Sequence, residues 1–569
     1  MNQATPCFKL KHGEKMEQTS STNNQLKLGI KIGVSLLGSW LIWSILNFWL
    51  LPAYNIQSFA FWFFILILIF LNAGLFSVVW KIKKIMRTAF IIDGIILAFL
   101  VVASIPSWLI WFGNDQRYQS LISIRELPGE EYARRFLGAS PNPNQNSTFI
   151  LPVIDKELSI SLAMGKLGPY GAQFQINTEI FTAVNISKQG KQRLVRVSPL
   201  EYASDIVAFN LANQGTAGYI QVDQITGQAE LIEVPQGLKY LHTGFWDYQL
   251  ERHLRRLYPF DIFGGWSFEI DDEGQPWWVV PVIHFTVGLF GGEDVRAVIL
   301  VNPATGEAKW YELGEEPTWL DRIYPSQMVL NQATDYFGLK NGWFNLIFGS
   351  MTGVFQPSDG YTYVSTTTPT GGNTYLISGI TSPNENDQTS VGVMLVNLKN
   401  KEAQFFKING ITEMRAVQIA ENDERVRAQK LQASWPILVP INNHPTYYLI
   451  LKNDFQRQRF VLIEATSGAQ VSMADTYESV LSQYSTSLGF VSNTSNLISL
   501  EGIVSRMRRE PNSTLVFLLS GDRENVYIVN EMLNQGTRFL QPNDRIQIKY
   551  RESQLNERIV IELENLSIR

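Results

Sequence analysis

The chain has 569 residues, of which 45% are hydrophobic, 12% are aromatic and 17% are charged. It is too apolar for a disordered chain and too long for one ordinary domain, and its charged fraction is below the roughly one quarter typical of soluble proteins. Cys7 is the single cysteine, which excludes disulfide frameworks, cysteine-ligated zinc and iron–sulfur clusters. The composition therefore indicates several folded units together with a membrane-embedded part.

Three apolar runs lie near the N-terminus. No charged residue occurs from Ile32 to Trp80, the polar stretch Pro52–Ser58 divides this run, and a further run extends from Thr88 to Phe112. Each run has about 20 or more residues, enough to cross a hydrocarbon core of about 30 Å. We predict a tail over 1–30 and a membrane region over 31–112, with transmembrane helices near 31–52, 58–80 and 88–112.

Basic residues predict how these helices are oriented. They lie before the first helix and in the second connector, whereas the first connector has none: Lys9, Lys11, Lys15, Lys27, Lys31, Lys81, Lys83, Lys84 and Arg87. Since Lys and Arg favour the cytoplasmic side of short loops, we expect a cytoplasmic N-terminus and an extracytoplasmic region after Gly113. The lack of cysteine in that region favours a bacterial plasma membrane. Asp93, inside the third helix, is either a functional carboxylate or a structural one near the headgroups.

Charge separates the two parts of the chain. Residues 1–112 have a net charge of +6, which leaves −11 for residues 113–569, because the whole chain carries −5. Nucleic acids are bound through clustered Lys and Arg side chains, so an acidic region is not expected to bind them. The expected partners are the lipid bilayer and other envelope proteins or a second copy of the chain.

A short pattern recurs in the acidic region: an apolar strand, then Asp, Asn or Glu, then a turn. It occurs at four places: Asp223–Gly227, Asn302–Gly306, Asn397–Lys401 and Glu464–Gly468. Asp and Asn accept hydrogen bonds from local backbone N–H groups and Gly tolerates positive φ, so each place predicts a hairpin. Helical patterns lie between them. We predict a helical linker and four helix-plus-antiparallel-meander units, at 113–147, 148–235, 236–320, 321–410 and 411–495.

These turns resemble the PepSY-type repeats of bacterial envelope proteins, which are often marked by a strand ending in Asp-Pro-x-Thr-Gly. Val301–Glu307 is the best match, with Asn302 in place of Asp, and Asp223–Gly227 is the next. The turns at Asn397 and Glu464 depart further. The resemblance, over about 200–480, implies non-catalytic modules that inhibit or position a partner, often a peptidase or a cell-wall hydrolase.

Five short apolar runs within 496–569 predict a small β-barrel, plausible as an OB-like fold. Arg506, Arg508 and Arg509 accompany Phe517 and Tyr527, as in oligonucleotide-binding barrels. However, this segment holds ten basic and ten acidic side chains. We therefore favour a packing or protein-contact role over nucleic-acid binding.

Motifs for metalloprotease, serine hydrolase or phosphate-loop chemistry are absent from the sequence. His242 and His253 flank Asp247 and Glu251, which is conceivable as a metal site and more simply a set of surface ion pairs. Asp271–Gly274 is interpreted as a hairpin turn rather than a calcium loop. His284 and His444 are interpreted as structural. The sequence thus predicts no catalytic, cofactor-binding or metal-binding residue.

The sequence analysis predicts a membrane-anchored α+β protein, not an enzyme, that acts as an extracytoplasmic scaffold or interaction protein of the cell envelope. One alternative is a PepSY-like regulator or inhibitor of a secreted peptidase or wall hydrolase. A second alternative is a subunit of a membrane transport assembly, with the three helices gathered around Asp93.

Overall fold

The computed structural model describes residues 13–82, 84–108, 114–136, 139–141, 149–188, 191–366, 373–384, 387–453, 456–488, 498–510, 514–530, 535–552 and 557–567. The chain divides into two compact units, Met1–Val480 and Leu481–Arg569. The boundaries predicted for the separate domains stay predictions.

Three long helices begin the first unit: α1 (Gly13–Leu50), α2 (Phe59–Trp80) and α3 (Lys84–Trp108). Their segments Gln25–Leu50, Phe59–Trp80 and Lys84–Ser104 are long and apolar enough to span a membrane, which confirms three predicted membrane helices. Ser58 caps α2 by accepting a hydrogen bond from the backbone N–H of Phe61. Residues 109–112, included in the predicted third span, lie outside the described residues.

The predicted helical linker over 113–147 is only partly helical. Its described residues form α4 (Asp115–Gln119), β1 (Ile124–Pro128) and α5 (Gly129–Arg135), and β2 (Phe149–Ile150) follows. The stretch Ile124–Pro128 is a strand because its backbone pairs in parallel with residues 403–407, far along the chain. Such a long-range pairing leaves no local periodicity in the sequence, so the prediction of one helix was wrong here.

Four mostly antiparallel sheets, named the first to the fourth sheet in chain order, form most of the first unit. The first two sheets contain β3 (Phe174–Ile176), β4 (Thr182–Lys188), β5 (Lys191–Tyr202), β6 (Thr216–Asp223) and β7 (Ala229–Leu238), then β8 (Ile262–Phe263), β9 (Ser267–Ile270), β10 (Pro276–Val287), β11 (Gly291–Val301) and β12 (Ala308–Glu312). The other two contain β13 (Gln356–Pro357), β14 (Thr362–Thr366), β15 (Thr374–Thr381), β16 (Thr389–Asn397) and β17 (Ala403–Ile411), then β18 (Gln432–Ala433), β19 (Ile437–Ile441), β20 (His444–Lys452), β21 (Arg457–Glu464) and β22 (Val471–Ala474). The strands β1 and β2 extend the third sheet at its two edges.

The four sheets share one strand order. In each, two short segments pair with the same long strand, which continues into two further antiparallel strands. The short pairs are β3 and β4, β8 and β9, β13 and β14, and β18 and β19, and we call each pair a split first strand. The described helices of this region are α6 (Lys156–Met164), α7 (Asp205–Leu211), α8 (Leu250–Leu257), α9 (Ser326–Gly338), α10 (Trp343–Ile347), α11 (Glu413–Glu421), α12 (Glu424–Ala428) and α13 (Tyr477–Ser487). Thus α6, α8, α9 and α11 each precede one sheet.

The hairpin between the last two strands of each sheet is the turn identified in the sequence. In the first sheet the Asp223 carboxylate accepts hydrogen bonds from the backbone N–H groups of Ile225 and Thr226, both at 2.9 Å. The Asn302 side chain does the same for Ala304 and Thr305. In the same way the Asn397 side chain accepts from the N–H of Lys399, and the Glu464 carboxylate accepts from the N–H groups of Thr466 and Ser467.

A second set of hydrogen bonds joins each turn to the segment before the helix. The carbonyl of Pro303 accepts from the N–H groups of Lys239 and Tyr240, at 2.8 and 2.9 Å. The carbonyls of Gln224 and Leu398 accept pairs of N–H groups in the same way, from 153–154 and 323–324, and that of Ala465 accepts from Ile411. Each helix is thereby fixed to its own sheet.

A hydrophobic core of the first unit lies between the second sheet, α9 and the third sheet. Val298, Val329 and Met394, one from each, are fully buried there. Burial of such side chains contributes roughly 1.5–3 kcal/mol each. This core therefore packs the second sheet against the third through α9.

The second unit consists mainly of five strands: β23 (Ile498–Glu510), β24 (Thr514–Leu519), β25 (Asp522–Asn530), β26 (Arg545–Glu552) and β27 (Glu557–Asn565), with α14 (Gln535–Arg538) between the third and fourth. Their pairing order is β23-β24-β25-β27-β26, and β26 pairs again with β23, so the sheet closes on itself. Leu515, Phe517, Tyr527 and Ile548 are among its buried side chains.

We expect Gly306→Ala to destabilise the protein more than Gly314→Ala. Both glycines have positive φ, 77° and 94°, so both changes carry backbone strain of about 1–3 kcal/mol. A Cβ at Gly306 would also lie 2.3 Å from the Tyr240 ring, whereas none of the described atoms lies within 4 Å at Gly314. Thermal melting of the full chain in detergent measures this difference, and equal melting temperatures would contradict it.

Candidate functional site

A cavity of about 720 Å³ lies within the first unit, and all four sheets contribute to its walls. All four sheets contribute from the same position: each supplies residues at or beside the break in its split first strand. These residues are Glu179–Thr182, Gly265–Ser267, Gly360–Tyr363 and Gln432–Trp435. The starts of α6 and α9 complete the walls through Asp155 and Arg322–Gln327.

Turn-forming residues interrupt the strands at these positions. In the first sheet, the Asn177 side chain accepts hydrogen bonds from the N–H groups of Glu179 and Ile180, at 3.1 and 2.9 Å. In the second sheet the break is Gly264-Gly265, and in the fourth sheet Trp435 is followed by Pro436, which has no N–H group to donate. The breaks therefore follow from local sequence, and they bend the chain around the cavity.

Two arginines line the cavity, one on a strand of the first sheet and one in the segment before α9. Arg196, on β5, is only 5% exposed; its Nη1 donates to the carbonyl of Phe181 at 3.2 Å, and its buried Nε has no hydrogen-bond partner among the described residues. Arg322 donates from Nη2 to Ser326 Oγ and to the Tyr363 hydroxyl, both at 3.1 Å. In the described part of the chain, neither guanidinium has a carboxylate oxygen within 4 Å.

The Tyr363 ring lies between these two cations. Its centroid is 5.9 Å from the guanidinium carbon of Arg196 and 4.7 Å from that of Arg322, within the range of cation–π attraction. Burial lowers the pKa of Arg196. The charges of Tyr363, Asp155 and Glu157 oppose this effect, and repulsion from Arg322 is a smaller contribution in the same direction as burial. Burial alone would raise the pKa of Tyr363, but the charge of Arg322 and the hydrogen bond with Ser326 hold that pKa below its ordinary value.

Another part of the cavity wall carries a balanced group of charges. Lys452, 5% exposed, donates to Asp155 and, at 3.2 Å, to Glu157. Asp155 also caps α6 by accepting from the N–H of Leu158 at 3.0 Å. Burial raises the pKa of Asp155 in spite of the attraction of Lys452. This lysine therefore already has two carboxylate partners, unlike Arg196 and Arg322.

Trp435 supplies a further donor without an acceptor. Its indole ring lies against Gly360, where a Cβ would approach within 2.6 Å of the ring atoms. Its Nε1 is buried and has no hydrogen-bond partner among the described residues. The indole is thus held in place by packing, and its N–H group remains available.

The residues considered from sequence lie elsewhere. His242 Nδ1 pairs with Glu251, and His253 Nε2 contacts the carbonyl of Gly306 at 2.7 Å, so the two histidines are used separately. Among the described residues, no group of three or more His, Cys, Asp and Glu side chains is placed to hold a metal ion. Asp271 caps the hairpin between β9 and β10 by accepting from the N–H groups of Glu273 and Gln275.

The remaining candidates are also separate from the cavity. Asp93 lies on α3, and His284 and His444 lie on β10 and β20. Arg506, Arg508 and Arg509 lie on β23 of the second unit. Sequence reasoning missed Arg196, although a signal existed: Arg196 is the only charged residue in the run Leu194–Val197, whose other members are 0–1% exposed. A charged residue within such a buried run indicates that its side chain faces a polar cavity inside the protein.

No protein-family model matches the chain, and no curated protein matches it. Solved structures that match include two variants of an apocarotenoid oxygenase from Synechocystis, 10% and 11% identical, each covering 55% of this chain and 67% of that chain with a TM-score of 0.17. A cobalt-substituted form of the same enzyme is 10% identical and covers 52% of this chain and 65% of that chain with a TM-score of 0.16. At such low TM-scores the likeness carries no argument about fold or function.

The buried carboxyl of Glu269, next to the cavity residue Ser267, should make the stability of the folded protein depend on pH. Burial raises the pKa of this carboxyl to about 7, although it accepts hydrogen bonds from the N–H of Asp321 and the hydroxyl of Ser267. The folded state therefore holds the proton more tightly than the unfolded chain, whose carboxyl titrates near pH 4.3. Stability is complete below that pH and falls as the pH rises through about 7, by on the order of 3 kcal/mol.

We expect Glu269→Gln to flatten this dependence, since the amide keeps an acceptor for Asp321 and has no charge to bury. Melting temperatures between about pH 5 and pH 8 measure it. Glu273→Gln, in the same hairpin and exposed, is the matched control and should behave as the unmodified protein does. An identical slope for all three proteins would contradict the assignment.

Proposed function

We propose that the chain is a bacterial membrane-anchored protein whose large extracytoplasmic region binds other envelope proteins, or a second copy of itself, without catalysing a reaction. The observation that carries this proposal is the attachment of the β region to the connector between α1 and α2. The N–H of Tyr54 donates to the carbonyl of Pro259 at 2.8 Å, and Gln57 both donates to the carbonyl of Phe285 and accepts from its N–H, at 2.8 and 3.3 Å.

Aromatic contacts strengthen the same attachment. The guanidinium of Arg252 lies 3.6 Å from the ring centroid of Phe48 near the end of α1, and the rings of Phe59 and Phe290 stack at 4.0 Å. Because this connector follows one span and the β region follows three, contact between them fits an arrangement with both on one side of the bilayer. The basic residues of the tail and second connector favour the extracytoplasmic side for both.

An exposed apolar surface supports a role in protein binding. On and just after α10, the side chains of Phe344, Ile347 and Phe348 are 68%, 55% and 63% exposed. Adjacent large apolar side chains on a surface are typical of interaction sites. Trp343, by contrast, packs against the buried cluster of Tyr118, Val287 and Leu339, which fixes α10 to the fold.

Photo-crosslinking tests the proposal. A photoreactive amino acid in place of Phe344 should form a covalent adduct with another protein in intact membranes, and Phe344→Ser should reduce co-purification of that protein. The same photoreactive residue in place of Glu424, exposed on α12, is the control. The absence of adducts specific to Phe344, or hydrolysis of peptides, glycans or esters by the purified chain, would contradict it.

The likeness of the four sheets favours one more specific version. We propose that they are copies of a duplicated PepSY-like unit, that the C-terminal closed sheet is OB-like, and that the partner is a secreted peptidase or wall hydrolase. The shared strand order and the four turns with the same hydrogen bonds support duplication. Hydrolase activity measured with and without the purified chain tests this version, and an unchanged rate for every captured hydrolase counts against it.

We expect the orientation to appear in cysteine labelling. In a Cys7→Ser background, Glu315→Cys should react with a membrane-impermeant maleimide in intact cells, because Glu315 is exposed beyond β12. Gln18→Cys, in the tail, should react only after permeabilisation. The reverse pattern would place the β region in the cytoplasm.

A further inference from the structure

We propose that the cavity among the four sheets binds a small organic molecule that carries a carboxylate or phosphate group, held by Arg196 and Arg322. This goes beyond the proposed function, because binding of a partner protein on the surface requires no occupant in the interior. The volume of about 720 Å³ falls within the range of about 300–1,000 Å³ typical of small-molecule sites.

The first argument is charge. A buried guanidinium is costly unless it is paired. Arg196 is buried and Arg322 is half-buried, yet neither has a carboxylate oxygen within 4 Å among the described residues. Both guanidinium groups lie near the Tyr363 ring and repel each other, while Asp155 and Glu157 attract Arg196 from beyond 4 Å. An oxyanion bound within reach of both arginines would offset this repulsion, and guanidinium groups bind carboxylate and phosphate oxygens with favourable geometry.

The second argument is the kind of polar atom left without a partner. Among the described residues that line the cavity, the buried unpartnered atoms are Arg196 Nε and Trp435 Nε1, and both are hydrogen-bond donors. The complementary ligand atom is an acceptor. The carboxylates Asp155 and Glu157 are already bonded to Lys452, so they do not offer a matching site for a cation.

The third argument is the apolar part of the wall. Ile180, Phe181, Ile323, Ile437 and Ile450 line the same cavity. A simple inorganic anion would leave these side chains facing water, whereas an organic body would cover them. Exposed residues at the rim, among them Glu179, Gln327 and Gln432, show that one side of the cavity opens to solvent.

Calorimetric titration of the full chain in lipid nanodiscs tests the inference, with benzoate and phenyl phosphate as anionic probes and benzyl alcohol as a neutral probe of similar shape. We expect at least one anion to bind with a dissociation constant below about 1 mM, and benzyl alcohol to bind at least about tenfold more weakly. The ratio of the two anion affinities then distinguishes carboxylate from phosphate recognition.

Two variants make the test specific. Arg322→Gln should weaken binding of the anion about tenfold or more, because a charge-assisted hydrogen bond is lost. Trp435→Phe keeps an aromatic ring and removes only the N–H group, so it should weaken binding a few-fold without unfolding the sheet. Arg134→Gln, which removes an exposed guanidinium on α5 that does not line the cavity, is the control and should bind as the unmodified protein does.

The inference fails if neither anion binds, if benzyl alcohol binds as well as the anions, or if both Arg322→Gln and Trp435→Phe bind normally. If Arg322→Gln does not fold, Trp435→Phe alone decides the matter. None of these outcomes affects crosslinking at Phe344, so failure of the ligand site and failure of the proposed function are distinguishable.

Discussion

Four backbone carbonyls, at Gln224, Pro303, Leu398 and Ala465, fix the turns of the four sheets to the segments that lead into their helices. Each accepts N–H groups from the segment that precedes the helix of its own sheet. Buried peptide groups must be paired, so these bonds leave each helix little freedom to move relative to its sheet. Arg322 directly precedes one of these bonded segments and Asp155 directly follows another, so the bonds that fix the helices also fix the charged walls of the cavity.

The charges of the cavity are arranged unequally as a result. Lys452 is balanced locally by Asp155 and Glu157, and this group behaves as a closed set of hydrogen bonds. Among the described residues, Arg196 and Arg322 directly contact carbonyl, hydroxyl and aromatic groups, and Asp155 and Glu157 attract Arg196 from beyond 4 Å. Neutral partners stabilise a buried cation less than an anion does. The two arginines therefore favour the binding of an added anion.

Local patterns in the sequence were sufficient for the membrane spans and for the turns, because apolar length and an Asp, Asn or Glu before a turn act within a few residues. The strand Ile124–Pro128 was missed since its partner lies near residue 405. The cavity was missed for the same reason: its walls join residues as distant as Asp155 and Lys452. Arg196 alone carried a local signal, as a charge within a buried run.

The attachment of the β region to the first connector has a consequence for how firmly the two parts stay together. The polypeptide between α3 and α4 is one link, and the bonds of Tyr54 to Pro259 and of Gln57 to Phe285 form another. A protease cut anywhere in 109–113 would sever the first link and leave the second intact. The severed fragment would therefore stay attached to the three helices, and its separation from them requires these noncovalent contacts to be broken as well.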